Sequence, residues 1–293
     1  MSSTNILLFL GPLTILFFFI LERLDTAKNQ PAYRYYKITS YLLIAAAGFA
    51  ISLYSSQEIL VPFARIIVPF EIFSVSFLKM PQWLNMIICF FIIDFFQYWN
   101  HRLHHKLSLL WRLHRLHHSD KVVDSLTTLL HHPLEILSTF LVVTALYILF
   151  DIAMIVIFYY SVLFSIHAAF AHTSLVINPK FDKFLSYFIV TPSIHRLHHA
   201  LKLKDSNSNF GQILTFWDQL FNTFTLPQAK KKALIFGITK NQSPEKISFY
   251  SFIVNPFKKL KFIVFSHYFT INSFCSSSAG GSQLMLLGRP ISS

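Results

Sequence analysis

Apolar and polar runs alternate along the chain, and the apolar runs are of helix length. Asn5 to Leu21 is apolar and ends at Glu22 and Arg23, which predicts a first membrane-spanning helix. The polar stretch Glu22 to Lys37 separates it from a second apolar run, Ile38 to Leu53. Ser55 to Pro81 is mixed: Pro62, Arg65, Pro69, Glu71 and Lys79 break its apolar pieces, which predicts interfacial or re-entrant helix. Trp83 to Trp99 is a third span, with aromatic ends suited to the headgroup level. Lys106 to His132 is polar and predicts a segment outside lipid. Leu134 to Phe170 is apolar but for Glu135 and Asp151. As one straight helix it would run roughly 55 Å, nearly twice the hydrocarbon core, so two spans turning near Asp151 are expected. That hairpin would return His172 to the side of His132. After Thr173 no run has the length and apolarity of a span, and Phe184 to Val190 predicts an interfacial segment. The expected fold is all-α: a polytopic membrane protein with about four to five transmembrane helices and a helical, histidine-rich cap.

Composition agrees. Hydrophobic residues make up 54% of the chain and charged residues 13%, outside the range of soluble domains. The formal charge of +12 raises nucleic acid as a partner. The basic residues sort by membrane side instead. Of the 25 Lys and Arg, all but Arg65 and Lys79 fall on the side of the histidine-rich segments. The positive-inside rule then places those segments and the C-terminal region in the cytoplasm and the N-terminus outside, with no nucleic-acid role. Asn5 to Leu21 lacks the basic flank and cleavage site of a secretory signal and is expected to be retained. Cys89 and Cys275 have no metal or redox spacing. The chain divides into N-terminal membrane and interfacial helices (1–82), a histidine-rich region (83–226) and a basic tail (227–293). Lys230 to Lys232 and Lys258 to Lys261 suit anionic headgroups or solvent alike.

Eight of the 14 histidines lie between Asp94 and Glu135. The word HRLHH occurs at 101–105, 114–118 and 195–199. Residues i, i+3 and i+4 share a helix face, so each word offers two or three imidazoles to one point. Imidazole suits iron, zinc, copper and nickel. Eight or more such ligands exceed what one ion can use, so two metal ions are inferred. Asp94, Asp120, Asp124, Glu135 and Asp218 are available to hold the far nitrogens of ligating imidazoles. Asp94, two helical turns before His101, falls on the same helix face. There is no HExxH, GxSxG, GxGxxG or P-loop. A non-redox metal protein, zinc-binding or transporting, remains compatible with the residues alone. The position of the clusters at span ends, away from the midplane where transporters bind, favours an enzyme.

With these residues the chain resembles the fatty acid hydroxylase/sterol desaturase superfamily of integral-membrane non-haem di-iron enzymes. The resemblance rests on Asp94, Tyr98-Trp99, His101 and His105, Leu110-Trp111, His114-x-x-His117-His118-Ser119, His132-Pro133-Leu134-Glu135, His172, Thr191-Pro192, His195-x-x-His198-His199, Asn209-Phe210-Gly211 and Trp217-Asp218. The alkylglycerol monooxygenase-like branch is similar over His172 to His199 and at Phe236-Gly237-Ile238-Thr239. Thr173-Ser174 and Asn222-Thr223 depart from the commoner pattern and leave the substrate branch open. The resemblance implies iron ligands at His101, His105, His114, His117, His118, His172, His195, His198 and His199, with His167 second in line. It implies orienting roles for Asp94, His132, Glu135 and Asp218, and leaves His104 out of the ligand set. It further implies two iron ions, O2 as co-substrate, and hydroxylation or desaturation of a sterol, fatty acyl or alkyl lipid entering from the bilayer. No haem, flavin or iron–sulfur motif is present, so an external redox protein must supply electrons on the basic, cytoplasmic side.

Overall fold

The structure is a computed structural model that describes residues 3–26, 33–55, 58, 62, 80–227 and 234–238. Among these the chain is helical, with isolated β-bridges at Ile189–Leu214 and Ala200–Phe236 and no strand. The long helices are α1 (Ser3–Thr26), α2 (Tyr33–Ser55), α3 (Gln82–Lys106), α5 (Pro133–Phe150) and α6 (Met154–His172). Between α3 and α5 come the short helix α4 (Ser108–His114) and two 3₁₀ turns, His117–Ser119 and Ser125–Leu129. After α6 the chain folds into four short helices the hydrophobic pattern did not announce: α7 (Pro179–Leu185), α8 (Pro192–His198), α9 (Leu203–Ser206) and α10 (Phe216–Leu220).

Among the described residues, α5 and α6 are the helices long and apolar enough to cross a membrane; Lys37–Ile51 of α2 is a shorter apolar segment. The expected turn between them falls at Asp151, whose φ of 52° is left-handed. A short polar side chain accepts that conformation where a branched one would not. α5 starts sharply because Pro133 occupies its first turn and the His132 imidazole accepts the Leu134 N–H.

α1 packs on α6, α2 on α5, and α3 on both members of the hairpin. Cys89 and Ile93 of α3 meet Leu146 of α5 and Val156, Ile157 and Tyr160 of α6 in one buried cluster. The fully buried Cys89 is thus a small core hydrophobe. Gly48 lets α2 approach α5, because a Cβ there would overlap Ile136 Cδ1.

Two buried polar ties hold the segment between α4 and α5. Lys37 of α2 sits between Asp120 at 2.8 Å and Asp124 at 2.9 Å and donates to the Val122 carbonyl. Those two acids, available on sequence to the histidines, are spent on this lysine. The Glu22 carboxylate, at the end of α1, accepts from Ser125 Oγ at 2.6 Å, Thr173 Oγ1 at 3.1 Å and Ser174 N at 2.6 Å. It therefore clamps the end of α6 to the second 3₁₀ turn. The expected interfacial segment 55–81 and the basic tail 227–293 lie largely outside the described residues. In the expected interfacial stretch Phe184 to Val190, Phe184 and Phe188 are exposed and Val190 is buried.

Candidate metal centre

α3 continues beyond its apolar part for two more turns, which carry His101 and His105 on one face. α4 ends at His114, and the chain tightens into the 3₁₀ turn that holds His117 and His118. This break changes the expected geometry. The spacing predicted that His114, His117 and His118 converge on one point; instead His114 and His118 join one group and His117 another. The last word splits too. His195 and His199, one turn apart on α8 and its cap, point together, while His198 points elsewhere.

The result is two clusters. His101, His105, His114, His118 and His198 form the first; His117, His172, His195 and His199 form the second; within each the nitrogens lie within 4.8 Å of one another. All are buried except the half-buried His105. Nε2 faces Nε2 at 3.2 Å for His101–His114, 3.0 Å for His117–His172, 2.9 Å for His172–His195 and 3.2 Å for His195–His199. Two imidazoles about 2.1 Å from one ion, at tetrahedral or octahedral angles, stand about 3.0–3.4 Å apart, so the spacing fits a metal shell. Nε2 of His105, His118 and His198 is buried without a hydrogen-bond partner, as a ligand atom awaiting an ion would be.

Burial, aided by the neighbouring imidazoles, holds His105, His118, His195 and His199 well below the ordinary 6.5. Burial holds His198 at about 3. These rings are neutral, the form that binds metal. Several are also fixed from behind. Nδ1–H of His101 donates to the Phe210 carbonyl at 2.9 Å, that of His198 to Ser208 O at 2.7 Å, and that of His172 to Ala168 O at 2.8 Å. His114 Nδ1–H donates to Glu135 Oε1 at 2.6 Å. A proton held on Nδ1 leaves the Nε2 lone pair pointing into the cluster.

The loop that presents Ser208 and Phe210 is itself braced. Asp218 accepts the N–H groups of Phe210 at 2.8 Å and Gly211 at 2.7 Å, and the Thr223 hydroxyl at 2.6 Å. Burial pushes the Asp218 carboxyl up to about 6 against these three donors. Gly211 is required, since a Cβ would lie 2.5 Å from Leu214 O and 2.8 Å from Asp218 Oδ2. Asn209, left-handed at φ 57°, bonds Ile194 O and the backbone of Thr225. Tyr98 meets Thr223 Oγ1 at 2.9 Å and accepts from Arg102, whose guanidinium lies over Trp99. Asp218 thus reaches His101 through one peptide carbonyl.

Two expected participants lie elsewhere. Asp94 meets Tyr160 Oη, Trp217 Nε1 and the N–H groups of Ile213 and Leu214, and no imidazole among the described residues. Seven residues share a face but stand about 10 Å apart along the helix. His167 falls in neither cluster, because five residues turn it about 140° away from His172. His132 caps α5 through its Nδ1, and its neighbour His131 donates Nδ1–H to Glu135 Oε1 at 2.9 Å, an orienting contact not expected from the sequence. The i, i+4 spacing of His131 and Glu135 was the available signal. The carbonyls of Ser208, Phe210 and Ala168 carry no sequence signal, since every residue has one.

Residues 86–223 match the fatty acid hydroxylase family model. The chain is 26% identical over 188 residues to alkylglycerol monooxygenase of Homo sapiens, covering 61% of this chain and 36% of that protein. It is 30% identical over 161 residues to alkylglycerol monooxygenase of Danio rerio, covering 52% and 32%. It is 32% identical over 168 residues to ornithine lipid hydroxylase OlsE of Rhizobium tropici, covering 54% and 47%. The match therefore spans about a third to a half of these curated relatives. No solved structure matches the chain.

Proposed function

We infer from this chain's membership of the fatty acid hydroxylase/sterol desaturase superfamily, carried by residues 86–223, that it is an oxygen-dependent oxidoreductase attacking a C–H bond of a membrane lipid. The observation that carries the reading is the pair of inward-facing imidazole clusters, each with its nitrogens within 4.8 Å of one another. His101, His105, His114, His118 and His198 would hold one ion, and His117, His172, His195 and His199 a second. A pair of non-haem irons there would supply the activation of O2 and the oxidising power that protein side chains lack.

The chain's own residues do the rest. The carbonyls of Phe210, Ser208 and Ala168, with Glu135, keep four rings in the ligating tautomer. Burial of His198 and His199, each at most 1% exposed, excludes bulk water from the reacting volume. Leu141 on α5 and Met154 and Leu163 on α6 face outward, as lipid-facing side chains do. The hairpin would carry the clusters at its cytoplasmic end, with α1 to α3 completing four to five spans. The substrate would be an acyl, alkyl or sterol lipid that reaches the site from the bilayer. Lys106, exposed beside the clusters, and Arg112 suit an acidic electron donor.

Metal analysis of the purified full chain, coupled to oxygen uptake under a reductant and lipid profiling of cells with and without the protein, tests the reading. Two irons per chain and a new hydroxylated or desaturated lipid are expected. One zinc and no oxygen consumption would overturn it in favour of a non-redox metal protein.

A further inference from the structure

We propose that His131 is a positioning residue that ties the two imidazole clusters together, serving one through its N–H and the other through its ring face. The inference rests on the reading that the clusters hold metal.

His131 Nδ1–H and His114 Nδ1–H donate to the same oxygen, Glu135 Oε1, at 2.9 and 2.6 Å. The other carboxylate oxygen, Oε2, is buried with no hydrogen-bond partner. The carboxylate that orients His114 is therefore set through one oxygen, and His131 is the second hand on it. This is the link to the five-imidazole cluster.

The link to the other cluster is a stack. The His131 ring lies against the His117 ring with centroids 4.1 Å apart and planes 16° from parallel. His117 needs such a support. Its Nε2 faces His172, but its Nδ1 is buried with no partner, so no carbonyl fixes its plane as Ala168 O fixes His172. The His131 side chain is 29% exposed, so it stands at the rim and reaches past the clusters to solvent. Its Nδ1, together with His114 and Glu135, is close enough to form a third cation site. The two short N–H···O contacts to one oxygen favour a hydrogen-bonded brace there instead.

Two substitutions separate the two links. His131→Phe keeps a ring for the stack and removes the N–H. His131→Gln keeps an N–H donor and removes the ring. The experiment loads the full chain, in detergent, with Co(II) and follows metal per chain, the ligand-field spectrum and release to a chelator. Wild type should hold two ions. In His131→Phe one ion should leave about tenfold faster, the lower end for loss of an outer partner of a metal ligand, while the other leaves at the wild-type rate. His131→Gln should speed release of the other ion. The metal-free variants should melt at the wild-type temperature, which separates a local effect from unfolding. Wild-type release of both ions in both variants, or equal acceleration of both ions in each, overturns the proposal. So does a third ion per wild-type chain that His131→Ala lacks. A wild-type chain that binds no ion fails at the earlier step and takes this inference with the metal reading.

Discussion

In the five-imidazole cluster ring after ring is held from behind: His101 by Phe210 O, His198 by Ser208 O, His114 by Glu135. In the four-imidazole cluster His172 alone has such a hold, while Nδ1 of His117, His195 and His199 is buried without one. A partner behind the ring fixes its tautomer and its plane, so the second cluster, with one such ring against three, is the less firmly held of the two. The first is preorganised by a loop that Asp218 anchors; the second depends more on what it binds. One protein thus offers a stiff site and a compliant one side by side, and the second ion should be the more easily exchanged.

The largest test removes a ligand from each side. His198→Ala and His195→Ala should each abolish turnover, but His198→Ala should lose the tightly held ion and His195→Ala the labile one; equal loss of both ions in each variant would erase the distinction. Acid comes next. The unfolded chain returns its imidazoles to about 6.5, while the buried rings resist protons down to about 3 for His198. As pH falls below about 6.5 the unfolded imidazoles take up protons that the buried rings refuse; Asp218, at about 6, takes one up in the folded state and offsets part of this, so the metal-free protein should on balance lose stability toward pH 3. A thermal midpoint flat from pH 7 to 5 would mean that the rings are not buried and neutral.

Asp218→Ala acts on one cluster. It strands the N–H groups of Phe210 and Gly211 and slackens the carbonyl behind His101. Metal affinity of the first cluster should fall about 10- to 100-fold and that of the second should hold. Glu22→Ala is its counterpart, because Glu22 clamps Thr173 and Ser174 just after His172. It should cost about 1–3 kcal/mol in a denaturant melt and loosen the second ion first. Tyr98→Phe should be the mildest, about 0.5–1.5 kcal/mol for the lost Thr223 and Arg102 bonds, with any metal effect confined to the first cluster.

Much of the helical architecture was legible because bilayer-length apolar runs and a length argument suffice to find α5, α6 and the bend at Asp151. The histidines stood out for the same reason: rare residues at helical spacing. Their partition did not, because it turns on where α4 stops and a 3₁₀ turn begins, a difference of about 0.6 residue per turn. The four short helices after His172 have no strong periodicity, being held by side-chain-to-backbone bonds from Asp218, Asn209 and Asp94. Lys37 ends a polar stretch in the sequence, and its buried pairing is not legible there because its partners lie more than 80 residues away. Asp94 shares a helix face with His101, but two turns of axial rise, about 10 Å, carry it to Tyr160 and Trp217 instead.

The partition has a consequence for biogenesis. Four members of the five-imidazole cluster precede the α5–α6 hairpin, and three of the four-imidazole cluster come at its end or after it. A nascent chain emerging from the ribosome would therefore display most of one ligand set before the hairpin is made, and only His117 of the other. Neither set closes until α8 has been synthesised. The order of translation is thus an order of assembly: most of the first cluster is laid down before the hairpin, and most of the second at its end or after it.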